Sequence, residues 1–342
     1  MTSFALSLGC ALLAFSPSLS LLLLFAYSKA QLVIIVVTSS FFQLLSCLLA
    51  ALLHLPFKSL SLGVQDIFII IPTSILSQAF ARCAFVHCYH KVEAVITKSI
   101  QRHEQQAGLQ QQGQSQGHGQ GQGQGQDNHD QSDQEHEPTE SEQLQLELND
   151  ASSGIAAGVG FAFFHTIMLF GTLLASENSR IGTLYQDSCT IMPSIFNSAI
   201  MAFFFGILDI IWVLMTFYGM RRIQLHKSHE QLQSHLQSRN GNDNGNGNGN
   251  AHFNANVQRD GTIKIGGKAV LVLVVVTHFA AAFATVPNQT MALNGCVVAL
   301  PSLALVTLVT IALFVIFCKK DYLPKMVQQS LLHRIRQDGH SD

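Results

Sequence analysis

Charge is scarce in this chain. Asp, Glu, Lys and Arg make up only 12% of its 342 residues, against about a quarter in ordinary soluble domains. That shortage excludes a large solvated surface. No residue that carries charge at neutral pH precedes Lys29. There is no basic excess either, since the net charge is −2, and without one the footprint of a nucleic-acid-binding protein is missing. Metal motifs are also absent: there is no CxxC pair and no HExxH. The seven cysteines (10, 47, 83, 88, 189, 296, 318) lie mostly within apolar stretches, where cysteine behaves as a small buried hydrophobe. Cys189 and Cys296 would fall near one membrane face, so a disulfide between them is conceivable, although sequence alone does not give connectivity.

What the chain has in place of charge is long apolar runs. Hydrophobic residues are 48% of the total, and they are clumped. Runs extend over Phe4–Tyr27, Leu32–Leu55, Ile67–Tyr89, Ser153–Ala175, Pro193–Tyr218, Ala269–Val286 and Met291–Cys318. Each is about the length that crosses a bilayer as a helix. The first run lacks the positive n-region of a signal peptide and is longer than the usual h-region of ~7–15 residues, so it reads as a retained helix, kinked or locally opened at Pro17. The expectation is an all-α, polytopic membrane protein with seven transmembrane helices.

Two inserts interrupt the runs. Residues 98–152 carry Gln/Gly/His repeats and then an acidic patch; residues 219–265 are Gln/His-rich and include the Asn-Gly tract from Asn240 to Asn250. Such compositions cannot bury a core, so both read as disordered loops. His118, His129 and His136 there reflect biased composition rather than a metal site. The organisation expected is helices one to three in 1–97, a loop in 98–152, helices four and five in 153–218, a loop in 219–265, helices six and seven in 266–318, and a tail in 319–342.

Orientation follows from the basic residues. All but Lys58, Arg82 and Arg180 of the 19 lysines and arginines fall in loops one, three and five or in the tail. By the positive-inside rule those segments are cytosolic and the N-terminus is lumenal or extracellular. The sequon Asn288-Gln289-Thr290 then lies on the lumenal side, where Asn288 is a possible glycosylation site, close to two helices.

Three features stand out inside the membrane. In the fourth run, Gly154, Gly158 and Ala162 recur every four positions and line one helix face, a pattern that lets another backbone approach closely in lipid. Asp209 and His278 lie about 18 Å and 15 Å along their helices from the cytosolic Arg221 and Lys268, at 1.5 Å per residue. Both therefore sit near midplane, where ionisable groups face the protein interior or a cavity. They could pair with each other, or each could be satisfied separately, for instance Asp209 by Arg82 of helix three. His165 reads as a hydrogen-bonded packing residue. His87, His90 and Glu93 share a face at the end of helix three, but a metal site there is not expected. A lone midplane aspartate is no aspartyl protease, which needs two; residues 206–209 read Gly-Ile-Leu-Asp.

The ordered set Gly9-Cys10, Ala14-Phe15-Ser16-Pro17, Phe41-Phe42, Leu45-Ser46, Gln78, Arg82, Ala84, Ser153-Gly154, Gly158, Trp212 (three residues after Asp209), Arg221-Arg222, His278, Gln328 and Ser330-Leu331-Leu332 resembles the anterior-pharynx-defective family. That family is the multi-pass scaffold subunit of γ-secretase. The resemblance implies a non-catalytic subunit that assembles with nicastrin, presenilin and presenilin enhancer, the catalytic aspartates lying in presenilin. It further implies residence in endoplasmic reticulum, Golgi, endosomal and plasma membranes, a role in processing single-pass membrane proteins and in Notch signalling, and no cofactor. Gly154 and Gly158 fall on the family's glycine repeat, implicated in assembly, and His278 on one of two intramembrane histidines. The chain departs from the pattern at Ala162, where the family has glycine, at Asp209, where the first family histidine falls, and at Ala79, where animal members carry glutamate.

Two other classes share the helix count. A seven-helix receptor is opposed by Cys88-Tyr89-His90 in place of Asp-Arg-Tyr and by the lack of Asn-Pro-x-x-Tyr in helix seven. A small proton or ion transporter using Asp209 and His278 finds no inverted repeat or broken-helix pair to support it.

Overall fold

The computed structural model describes residues 4–27, 29–58, 66–115, 150–172, 174, 189, 191–240, 266–289 and 294–338. Seven long helices account for nearly all of them: α1 (Phe4–Leu21), α2 (Ala30–Lys58), α3 (Asp66–Ser115), α4 (Asp150–Thr166), α5 (Ser194–Asn240), α6 (Gly267–Thr285) and α7 (Gly295–Asp338). α1 and α4 each continue into a wider π-helical turn, Leu22–Ala26 and Ile167–Gly171, and α6 into a 3₁₀ turn, Val286–Gln289. No β-strand occurs among the described residues. Six of the seven contain spans long and apolar enough to cross a bilayer: Ala5–Ala26, Ala30–Pro56, Ala151–Gly171, Ser194–Gln224, Gly267–Asn288 and Gly295–Phe317. α3 is the seventh, its apolar stretch interrupted by Gln78 and Arg82. The described residues form a nearly all-helical membrane protein, six candidate membrane-spanning helices with α3 as a seventh helix.

Backbone chemistry explains two departures from the sequence expectation. α1 does not open at Pro17. The ring removes the N–H that would bond the Leu13 carbonyl, but Ser16 Oγ donates to that carbonyl at 2.9 Å, and the helix runs on to its π turn. The second departure is length. α3, α5 and α7 pass the expected ends at 97, 218 and 318 and reach Ser115, Asn240 and Asp338. Residues 98–115, 219–240 and 319–338 are rich in Gln, Glu, Lys and Arg, strong helix formers, so the polar segments extend the apolar ones. The middles of both inserts, with His118, His129, His136 and the Asn-Gly tract after Asn240, lie outside the described residues. So do the side chains of Gln328, Ser330, Leu331 and Leu332.

α4 and α5 form the centre. In the 18-residue apolar stretch of α4, 61% of residues are buried within the chain, and in that of α5, 67%; the corresponding stretches of α1, α2, α6 and α7 bury only 17–28%. α4 packs on α1, α2 and α5, while α5 also meets α3, α6 and α7. Aromatic rings fill the interface of α3, α4 and α5: Phe85 meets Phe161 edge-on at 5.9 Å and Phe217 at 6.3 Å. At one end of the bundle, Cys189 and Cys296 form a disulfide with Cα atoms 5.5 Å apart. It ties the segment before α5 to the first turn of α7.

Candidate functional site

The small residues of α4 act on two faces. A β-carbon placed on Gly158 would stand 2.9 Å from Ile210 Cα and 3.2 Å from its carbonyl oxygen, and one on Gly154 would stand 3.0 Å from Leu214 Cδ2. Both glycines face α5. Gly160, two residues and therefore about 200° further round, faces α2. There a β-carbon would run into Ser39 Oγ and the Val36 carbonyl, and Ser40 Oγ donates to the Gly160 carbonyl at 3.0 Å. Ala162 is fully enclosed. α4 is thus wedged between two helices of its own chain, and its glycines lie inside the subunit rather than on an outer face. The spacing of four along the sequence picks out Gly154 and Gly158. Gly160 escapes it because it belongs to the opposite face; the serine pair Ser39-Ser40 in α2 is the only trace of its partner.

One helical level further along, four charged or titratable side chains meet. Arg82 Nη2 donates to Asp209 Oδ1 at 2.6 Å and to Gln78 Oε1 at 3.3 Å. His165 Nδ1 lies 2.6 Å from Asp209 Oδ2. Arg82 Nη1 lies 3.3 Å from His278 Nδ1. Arg82, Asp209 and His278 are buried. The structure therefore brings Arg82, Asp209 and His278 together, but not as a direct Asp209–His278 contact. Arg82 stands between them, and His165 takes the second carboxylate oxygen. This ordering is sensible physically. A bare carboxylate and imidazole would leave one charge uncompensated in the membrane interior, whereas the guanidinium supplies donors to both neighbours.

Trp212, the single tryptophan, closes the cluster. Its indole stacks on His278 with centroids 4.2 Å apart, its face receives the Arg82 guanidinium at 5.1 Å, and its Nε1 donates to Thr277 Oγ1 at 2.9 Å. Spacing alone would not have found this role for Trp212 or the contact between His165 and Asp209. The signal available was their position: Trp212 lies one turn from Asp209, and His165 sits mid-helix.

The remaining candidates lie elsewhere. Asn288 is buried, accepts from Asn197 Nδ2 at 3.1 Å and donates to Met201 Sδ at 3.4 Å. At the far end of the bundle, Arg221 pairs with Glu93 at 3.3 Å, His90 meets the Phe217 ring edge-on, and Tyr89 donates to Ser153 Oγ at 2.8 Å. Glu93 and His90 thus turn to different partners. Among the described residues no three His, Cys, Asp or Glu side chains converge on one point.

Fold and site together define a polytopic helical membrane protein whose interior is tied by one buried ion-pair cluster and a glycine-lined central helix. The match to known families is specific. The model for the family described as Aph-1 protein matches residues 5–239, more than half of the chain: α1 from its second residue, all of α2–α4 and almost the whole of α5; the chain belongs to that family. The Aph-1 family is a subunit family of γ-secretase, a heteromeric membrane complex. His278 and the helices α6 and α7 lie beyond the matched stretch. No curated individual protein matches the chain.

Proposed function

We propose that this chain is a non-catalytic scaffold subunit of γ-secretase, which assembles and steadies nicastrin, presenilin and presenilin enhancer for the intramembrane proteolysis of single-pass membrane proteins. The observation that carries this reading is the state of Asp209. Both of its oxygens are engaged, one by Arg82 and one by His165, so the carboxylate ties α3, α4 and α5 together and is not presented to a substrate. The same engagement disfavours an ion path through Asp209 and His278, since Arg82 fills the space between them. Membership in the Aph-1 family and the many exposed apolar side chains of the outer helices, such as Leu12, Leu24, Leu52, Leu305 and Ile316, agree with a subunit embedded among lipid and neighbouring chains.

The orientation expected from the basic residues, N-terminus lumenal and C-terminus cytosolic, draws support from the disulfide. Disulfides persist in oxidising compartments, and Cys189–Cys296 lies where α5 and α7 begin, the face that charge asymmetry assigns to the lumen. An epitope at the C-terminus is expected to be reached by antibody only after the membrane is permeabilised. The functional reading is tested by isolating the chain in mild detergent from native membranes. Nicastrin, presenilin and presenilin enhancer are expected with it, and a chain that comes away alone refutes the scaffold. Residence in the endoplasmic reticulum, Golgi, endosomes and plasma membrane, and a part in Notch processing, belong to the same proposal.

A further inference from the structure

The buried cluster has one open end. Arg82, Asp209 and His278 are enclosed, but the His165 side chain remains 12% exposed. Its Nδ1 faces a carboxylate oxygen, which can only accept, so Nδ1 carries the proton and donates. In the neutral ring this leaves Nε2 as a lone-pair acceptor. That nitrogen has no hydrogen-bond partner among the described residues, and it is not one of the enclosed polar atoms of the chain. It stands at the protein surface within the span Ala151–Gly171, about 21 Å from the first residue and about 9 Å from the last at 1.5 Å per residue. This is hydrocarbon depth, where no water is available and an unsatisfied polar atom is costly. The surface next to it is apolar: Ile167, Met168 and Leu169 are exposed on the π-helical turn that begins two residues later.

We propose that His165 Nε2 is a docking point for a transmembrane helix of another subunit, one that brings a hydroxyl or amide N–H donor to this depth against the Ile167–Leu169 surface. The occupant is identified by complementarity. Arg82 and Asp209 already balance each other's charge, so the exposed acceptor calls for a neutral donor and not an ion. A lipid chain offers no donor, and a lipid headgroup does not reach this depth. The inference rests on the scaffold reading, since it needs a multi-chain assembly. Through His165 and Asp209 the partner's hydrogen bond would join the network that ties α3, α4, α5 and α6.

Two substitutions separate the inner and outer nitrogens. In His165→Asn the amide N–H replaces Nδ1 and keeps the Asp209 bond, but nothing replaces Nε2. In His165→Gln the longer side chain carries an acceptor to the outer position and gives up the Asp209 bond. Each is placed in the full-length chain in native membranes together with benzoylphenylalanine at Met168, and the label is activated by light. Wild type is expected to crosslink to a membrane-spanning segment that carries a Ser, Thr, Asn, Gln, Tyr or Trp at the matching depth. His165→Asn should lower that crosslink roughly fivefold, the worth of one hydrogen bond, with an unchanged melting temperature in detergent. His165→Gln should keep the crosslink and melt lower. Equal crosslinking in wild type and His165→Asn, or label confined to lipid, overturns the docking point while leaving the scaffold intact, provided the other subunits still co-purify. A wild-type chain that purifies alone overturns both.

Discussion

Between Ser153 and Phe161, α4 is held by the lack of side chains; one turn later it is held by a polar one. In the first half, Gly158 brings the α4 backbone onto Ile210 of α5 and Gly160 brings it onto Val36 and Ser39 of α2. In the second half, His165 reaches across to Asp209. Glycine contacts are short-ranged and set distance, because any added atom meets backbone. The charged contact sets register, because only one alignment of α3, α4 and α5 gives both carboxylate oxygens a partner. Lipid supplies little hydrophobic drive between helices, so close packing and internal hydrogen bonds must both contribute to holding a central helix.

The comparison is broken most forcefully at the charged end. Replacing Asp209 by Leu leaves the Arg82 guanidinium buried without its carboxylate, and Arg82→Met leaves Asp209 with His165 alone. Each is expected to cost about 3–5 kcal/mol, seen as loss of folded chain on size-exclusion chromatography in detergent. The double variant Arg82→Met with Asp209→Leu should lose less than either alone, because no bare charge remains. A double variant as damaging as the sum of the two singles would show that the groups do not act as a pair.

At the glycine end the ranking follows the atom each β-carbon would meet. Gly160→Ala and Gly158→Ala press on backbone of α2 and α5, which cannot swing aside, so about 1–3 kcal/mol is expected for each. Thermal melts in detergent measure this, with Gly160→Ala the larger loss. Equal stability of wild type and Gly160→Ala would remove the α2 contact from the account. Trp212→Phe comes next. It gives up the hydrogen bond to Thr277 and weakens the seat of Arg82, for a loss of about 1–2 kcal/mol.

Most of the architecture could be read from the chain because hydrocarbon imposes a simple rule: a run of some twenty apolar residues becomes a helix. The runs at Phe4–Tyr27 and Pro193–Tyr218 became α1 and the membrane part of α5. Helix ends were less legible. Gln-, Glu- and Arg-rich segments such as 219–240 satisfy helix propensity without burying anything, and composition does not distinguish them from loops. Within the site, the residues were visible as polar groups at midplane and Arg82 stood among the partners open to Asp209, where the structure places it, but the choice among partners was not legible. Whether Asp209 meets His278, Arg82 or His165 depends on how α3, α4 and α6 are rotated about α5, and rotation is set by packing that leaves no local mark in sequence. Gly160 shows the same limit. A period of four describes one helix face, and a helix wedged between two neighbours needs a second.

The smallest effect is the sharpest test of this account. Gly154 and Gly158 are equivalent by spacing, and a motif read as a unit predicts equal damage from either. The surroundings differ. A β-carbon on Gly158 meets Ile210 Cα, whereas one on Gly154 meets Leu214 Cδ2 at 3.0 Å and Phe217 ring carbons at 3.6 Å. Leu214 Cδ2 is the far end of a flexible side chain and can give by a few tenths of an ångström. Alanine also gains up to about 1 kcal/mol over glycine in a helix interior. The two contributions nearly cancel, so Gly154→Ala is expected to melt within about 0.5 kcal/mol of wild type and to co-purify the same partners. If instead it falls as far as Gly158→Ala, then α4 and α5 are locked along their whole length, and the distinction between backbone and side-chain contact that separates these two glycines does not hold.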